Sequence, residues 1–171
     1  MEELSSTIDQ AVKAMANKAG KYLTFNLAQE VYGLEILKVQ EIIKMMDVTS
    51  IPKTPEFVRG VINLRGKVIP VVDLRLKFEM QALQDTEKTC IIVVQVGGKH
   101  DTVTVIGIIV DEVSEVLEIS AEQIEPTPTF GTSIDTGFIL GMGKVGEKVI
   151  IILDIDRVLT GDEIATLEKV A

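Results

Sequence analysis

Residues able to perform chemistry are few and scattered in this chain. The single histidine, His100, stands in a Gly97-Gly-Lys-His-Asp101 stretch that reads as an exposed turn, so it is a loop residue rather than a general base. The single cysteine, Cys90, opens an apolar run and reads as a buried, inert thiol. One Cys and one His are too few for a zinc site, and a lone Cys excludes a disulfide framework. Gly141-Met-Gly143 is not followed by a helical pattern, so it is not a dinucleotide or phosphate loop. None of Ser5, Ser6, Ser50, Ser114, Ser120 and Ser133 sits in a Gly-x-Ser-x-Gly elbow. Asp73 and Asp154 each end an apolar run without βαβ alternation around them, which predicts strand-end capping rather than a phosphoacceptor. No catalytic residue, metal site or cofactor is expected, and the chain reads as a non-enzyme.

Contact chemistry remains. Arg59 and Arg65 flank an apolar segment, and Arg65 falls at a tight turn. A guanidinium offers a planar fork that matches a carboxylate, and Glu41 is the candidate partner of Arg65. Ile36, Val39 and Ile42 are apolar positions that fit either a core or the lining of a groove.

The elements that must position these side chains are short. Of 171 residues, 46% are apolar and 4% aromatic, and Val and Ile number 21 each. That β-branched richness favours strands, gives ample material for a core, and excludes disorder. The formal charge of −9 argues against nucleic acid as the main partner. Residues 1–21 carry no signal-peptide pattern and read as a tail, partly helical or disordered. No apolar run is long enough to span a bilayer, so direct membrane insertion is not expected and a soluble cytoplasmic protein is.

From Tyr22 the chain alternates short apolar runs with turn residues. Strands are predicted at Tyr22–Leu27 and Val31–Lys38. The 3-4 spacing over Val39–Met46 fits a helix and an irregular strand equally. Ile51-Pro-Lys-Thr-Pro55 breaks the pattern, and Phe57–Leu64 and Lys67–Leu74 form a hairpin around Arg65-Gly66. Lys77–Lys88 reads as a polar linker. Strands follow at Cys90–Val96 and Val103–Val110. A second hairpin, Phe138–Met142 with Lys148–Ile155, turns around Gly143–Gly146, and Asp162 caps a short closing helix over residues 161–171.

The second half repeats the first. Gly33-Leu-Glu-Ile-Leu-Lys-Val-Gln-Glu-Ile-Ile43 matches Gly107-Ile-Ile-Val-Asp-Glu-Val-Ser-Glu-Val-Leu117. Thr54-Pro55 matches Thr127-Pro128, Gly60-Val-Ile62 matches Gly137-Phe-Ile139, and Lys67-Val-Ile69 with Asp73 matches Lys148-Val-Ile150 with Asp154. On this alignment the second hairpin is four residues longer. The expected organisation is one module over residues 22–160, with repeats at about 22–80 and 90–160, all-β, each repeat curling into a small barrel so that few edges stay open. A seam between two such units makes a natural groove. Charge divides the repeats: residues 22–80 carry eight basic and seven acidic side chains, whereas residues 90–160 carry four and eleven.

Three blocks carry a family resemblance: Tyr32-Gly-Leu-Glu-Ile-Leu-Lys-Val-Gln-Glu-Ile42, Val58-Arg-Gly-Val-Ile-Asn-Leu-Arg-Gly66 and Ile69-Pro-Val-Val-Asp-Leu-Arg75. They resemble the CheW-like family of bacterial chemotaxis coupling proteins, and Gly107–Val113, Gln123–Pro126 and Ile152–Asp156 agree. The resemblance covers roughly residues 20–160. It implies two SH3-like five-stranded β-barrels, with strand exchange between them left open. It also implies an adaptor that joins membrane chemoreceptors to the histidine kinase CheA in an array. On matching positions it implies receptor contact at Val39, Glu41 and Arg65, with the receptor's cytoplasmic hairpin tip as partner. It implies contact with the kinase's regulatory domain at Val68 and Phe130. The alternative is a regulatory module of the same family serving another receptor–kinase system.

Overall fold

The computed structural model describes residues 20–82, 84–97, 103–128 and 137–170. The chain is mostly β, in two sheets with short helices. Its strands are β1 (Lys21–Leu27), β2 (Glu30–Glu35), β3 (Val39–Lys44), β4 (Val58–Leu64), β5 (Lys67–Asp73), β6 (Cys90–Gly97), β7 (Val103–Val110), β8 (Glu112–Glu118), β9 (Ile124–Glu125), β10 (Ile139–Val145) and β11 (Lys148–Leu153). Single 3₁₀ turns occupy Ile36–Lys38 and Ala121–Gln123, and helices α1 (Leu74–Lys77), α2 (Ile155–Val158) and α3 (Gly161–Val170) follow the hairpins.

The sheets do not divide the chain into its sequence halves. One has the order β8-β1-β2-β11-β10-β9 and the other β3-β6-β7-β5-β4. Each therefore joins the first two strands of one repeat, β1–β2 or β6–β7, to the hairpin of the other, β10–β11 or β4–β5. The two parallel ladders are equivalent: Ile152 stands opposite Gly33 in one sheet and Val71 opposite Gly107 in the other. Gly107 is demanded by packing, because a Cβ there would lie 2.7 Å from the Ile91 side chain.

Strand alternation sends side chains to two kinds of core. Ile91 and Val93 of β6 join Ile62, Ile69, Val71 and Ile109 in a cluster inside one sheet. Ile92, Val94 and Val96 face the opposite way, into a larger cluster shared with Leu23, Phe25, Leu34, Leu153 and, from α3, Ile164 and Leu167. Ile119, Ile150 and Ile152 form the corresponding inner cluster of the other sheet. Phe25, Tyr32, Phe78 and Phe138 stack in a column through the shared core, with centroid spacings of 5.8, 6.1 and 5.1 Å. Both sheets curl. Thr49, just beyond the edge strand β3, exchanges backbone hydrogen bonds of 2.9 Å with Val61 in the opposite edge strand β4.

Several sequence expectations change. The second strand ends at Glu35, and Val39–Lys44 is a strand, its exposure alternating as an edge demands. The predicted linker is partly core, since Phe78 and Met80 pack on the shared cluster. The two hairpins have equal length: Leu64 pairs Lys67 and Val145 pairs Lys148, so the second turn is Gly146-Glu147. The amide of Asp73 donates to the Phe57 carbonyl, and that of Asp154 to Phe138. Gly60 therefore corresponds to Gly141, not Gly137, and the extra residues lie before the hairpin. Asp162 does not cap α3. Thr160 does, in a reciprocal box in which its hydroxyl accepts from the Glu163 amide and the Glu163 carboxylate accepts from the Thr160 amide.

Candidate functional site

A groove of about 770 Å³ opens along the five-stranded sheet, lined among others by Glu41, Leu64, Arg65, Val68, Ile69 and Val103. Its walls come from β3, the β4–β5 hairpin and β7. Because β3 and β4 are opposite edges of this sheet, the groove exists only through the curl that brings them together.

Arg65 and Gly66 form the two-residue turn of the hairpin, with φ of 53° and 84°. Both are left-handed, the conformation a tight hairpin needs. The amide of Gly66 donates to the Asn63 side chain. This turn projects the Arg65 side chain back over β3, where one guanidinium nitrogen stands 2.6 Å from Glu41 Oε1 and also reaches Oε2. Arg65 is 71% exposed and Glu41 29%. An ion pair so open to water contributes roughly 0–1 kcal/mol to stability.

Val68 stands 51% exposed on the groove wall. It shares that groove with Glu41 and Arg65. Val39 is partly buried against the shared core, as is Ile36, whereas Ile42 is 43% exposed. Phe130 and His100 lie outside the described residues. Cys90 is half-buried rather than buried, and its thiol donates to the Lys88 carbonyl at 3.2 Å. Asp73 caps α1, accepting from the Arg75 amide at 3.0 Å, and Asp154 caps α2, accepting from the Asp156 amide at 3.1 Å. Arg59 reads as structural: it bridges buried Asp73 at 3.1 Å and Asp85 at 2.8 Å.

Two polar centres escape the sequence reading. Arg75 donates from Nε to Asp111 at 2.6 Å and from Nη2 to the second oxygen, which also accepts the Ala28 amide at 2.9 Å. Burial raises the Asp111 pKa, but the Arg75 and Ala28 bonds outweigh it and hold the carboxyl below its ordinary value. Elsewhere, Asp156 accepts from Lys38 at 2.8 Å and from the Gly97 amide at 2.8 Å. Its pKa is lowered in the same way, with burial opposing and the two bonds prevailing.

The comparisons bear on this arrangement. A family model described as the CheW-like domain matches residues 21–163. The chain belongs to the CheW-like family. It is 44% identical over 151 residues to the chemotaxis protein CheW of Klebsiella aerogenes, covering 88% of each chain. It is 32% identical to that of Rhizobium meliloti, over 90% of this chain and 96% of the relative. A solved structure, the scaffolding protein TtCheW from Thermoanaerobacter tengcongensis, superposes with a TM-score of 0.73 at 41% identity, covering 84% of this chain and 96% of that one. As a CheW-like chain the protein is a chemotaxis scaffold and not an enzyme. Among the described residues no helix is long and apolar enough to cross a membrane.

Proposed function

We propose that this CheW-like chain couples chemoreceptors to the histidine kinase CheA and lets receptor state control kinase activity. The observation that carries the reading is the Glu41–Arg65 pair: exposed, of little value to stability, and set at the rim of a partly apolar groove. A scaffold needs such a surface, able to exchange its internal ion pair for contacts with a partner. In this reading Val39, Glu41 and Arg65 meet the receptor's cytoplasmic hairpin tip, and Val68 and Phe130 meet the kinase's regulatory domain. The chain works in the cytoplasm and is recruited to membrane-associated receptor arrays. Control of the kinase is a population shift, which requires contacts that differ between kinase states.

The test is reconstitution. The chain is mixed with a CheA-type kinase and receptor cytoplasmic fragments, and co-sedimentation and ATP-dependent phosphorylation of the kinase are followed. Ternary co-sedimentation with altered kinase activity is expected; the absence of both effects overturns the reading. Val68→Glu separates the two contacts. It should weaken kinase binding and spare receptor binding, whereas equal loss of both rejects the division between them.

A further inference from the structure

The two polar centres described above are related by the internal repeat. Val39 and Val113 correspond in the duplicated block, and they pair with Val94 and Phe25 respectively. Phe25 is thus equivalent to Val94, and three residues on, Ala28 is equivalent to Gly97. Asp73 and Asp154 correspond, so two residues on, Arg75 is equivalent to Asp156. Each centre therefore joins the end of the first strand, the residues just after the hairpin, and the crossing from one sheet to the other, where the two residues used are one register step apart, Asp111 aligning with Leu37 and Lys38 with Glu112.

The charges, however, are inverted. In the first centre the cation is on the helix, Arg75, and the carboxylate is at the β7–β8 crossing, Asp111. In the second the carboxylate is on the helix, Asp156, and the cation is at the β2–β3 crossing, Lys38. In both, the carboxylate also takes the amide at the end of the first strand. Each centre binds elements of both sheets. Ala28 follows β1 of the six-stranded sheet, whereas Arg75 follows β5 of the five-stranded one. Gly97 ends β6 of the five-stranded sheet, whereas Asp156 follows β11 of the six-stranded one.

We propose that these centres are a pair of ionic clasps that set the angle between the two sheets. Lys38 directly precedes Val39, so the Lys38–Asp156 clasp also fixes where β3, with Glu41, stands against the opposite sheet. Lys38 and Asp156 are positioning residues in this scheme. The inference is independent of which partner meets Glu41.

The experiment compares Asp156→Ala, Lys38→Arg and the double variant K38D/D156R in the full chain. The double variant gives the second clasp the polarity of the first. Residual dipolar couplings measured by NMR report the orientation of the sheets, and amide exchange reports Gly97. Asp156→Ala should speed Gly97 exchange by about tenfold, the loss of a bond to a charged acceptor. It should also rotate one sheet against the other while the couplings within each sheet stay parental. Lys38→Arg should keep the parental orientation, and K38D/D156R should restore it. Parental orientation in Asp156→Ala overturns the proposal, whatever the exchange rate of Gly97. Should Asp156→Ala not fold, the double variant decides: parental orientation supports the clasp, and its loss overturns it.

Discussion

Arg65 reaches from the tip of the β4–β5 hairpin to Glu41 on β3, with 2.6 Å between guanidinium nitrogen and carboxylate oxygen, and so joins the two opposite edges of one five-stranded sheet. The curl does not depend on it, since Thr49 and Val61 hold the same edges through their backbones. Arg65→Glu should therefore change unfolding stability by less than about 1 kcal/mol while abolishing co-sedimentation with receptor fragments. The reversed pair R65E/E41R should regain part of that binding. Unfolding of Arg65→Glu in a urea titration would show a structural role instead.

The backbone bridge is the more demanding element. Gly60 has φ 141°, and a Cβ there would stand 1.9 Å from the Thr49 carbonyl oxygen. Gly60→Ala should break the bridge and cost about 2–4 kcal/mol, combining backbone strain with lost hydrogen bonds. Gly66→Ala is the control, because its φ of 84° faces open space and only the left-handed conformation is taxed, by about 1 kcal/mol. Urea midpoints of the two variants should differ in that order.

Acid should loosen the fold through the clasps. Asp111 and Asp156 have folded pKa values below their unfolded ones. The stability they contribute is complete above the ordinary carboxylate range, near pH 4, and is lost as pH falls through the lower folded values. Glu163 behaves alike: burial opposes, and its bonds from Lys77 and Thr160 prevail. Urea midpoints measured from pH 7 to pH 3 should fall, and Asp111→Asn should flatten the fall.

The closing helix depends on the residue before it. Thr160→Ala should cost about 1 kcal/mol, the value of an N-cap hydroxyl, and thermal melting should detect it. A null effect would mean that docking of Ile164 and Leu167 in the shared core suffices.

The sequence made the all-β class and the duplication legible because both rest on local signals. Gly33 and Gly107 are small where an isoleucine of a neighbouring strand packs close, Ile150 and Ile91 respectively, and Asp73 and Asp154 cap equivalent helices. The Glu41–Arg65 pair was legible because one turn and one strand position sufficed to guess it. Which sheet each strand joins was not legible. Equivalent β-branched strands pair equally well within a repeat or across it, and only the crossings at Lys38 and Asp111 decide. In sequence Gly137, four residues before Gly141, fits as the counterpart of Gly60 equally well, and only the hydrogen bonds of Asp73 and Asp154 distinguish them. The clasps are hidden in the sequence because their charges are inverted between helix and crossing, and their crossing residues, Asp111 and Lys38, are one register step apart, so they do not look like a repeat.

The interleaving of strands has a consequence for how the chain is made. Val31 waits for Ile150, and Tyr22 for Leu117, before either ladder of β1 and β2 into the rest of their sheet can close. As the chain leaves the ribosome, its first half holds β1 and β2 with no completed sheet to enter. Such distant pairings slow folding and prolong the exposure of open strand edges. A fragment ending near residue 80 should therefore be an aggregating polypeptide rather than a free-standing barrel, and the duplicated halves, alike in pattern, are obligate companions from birth.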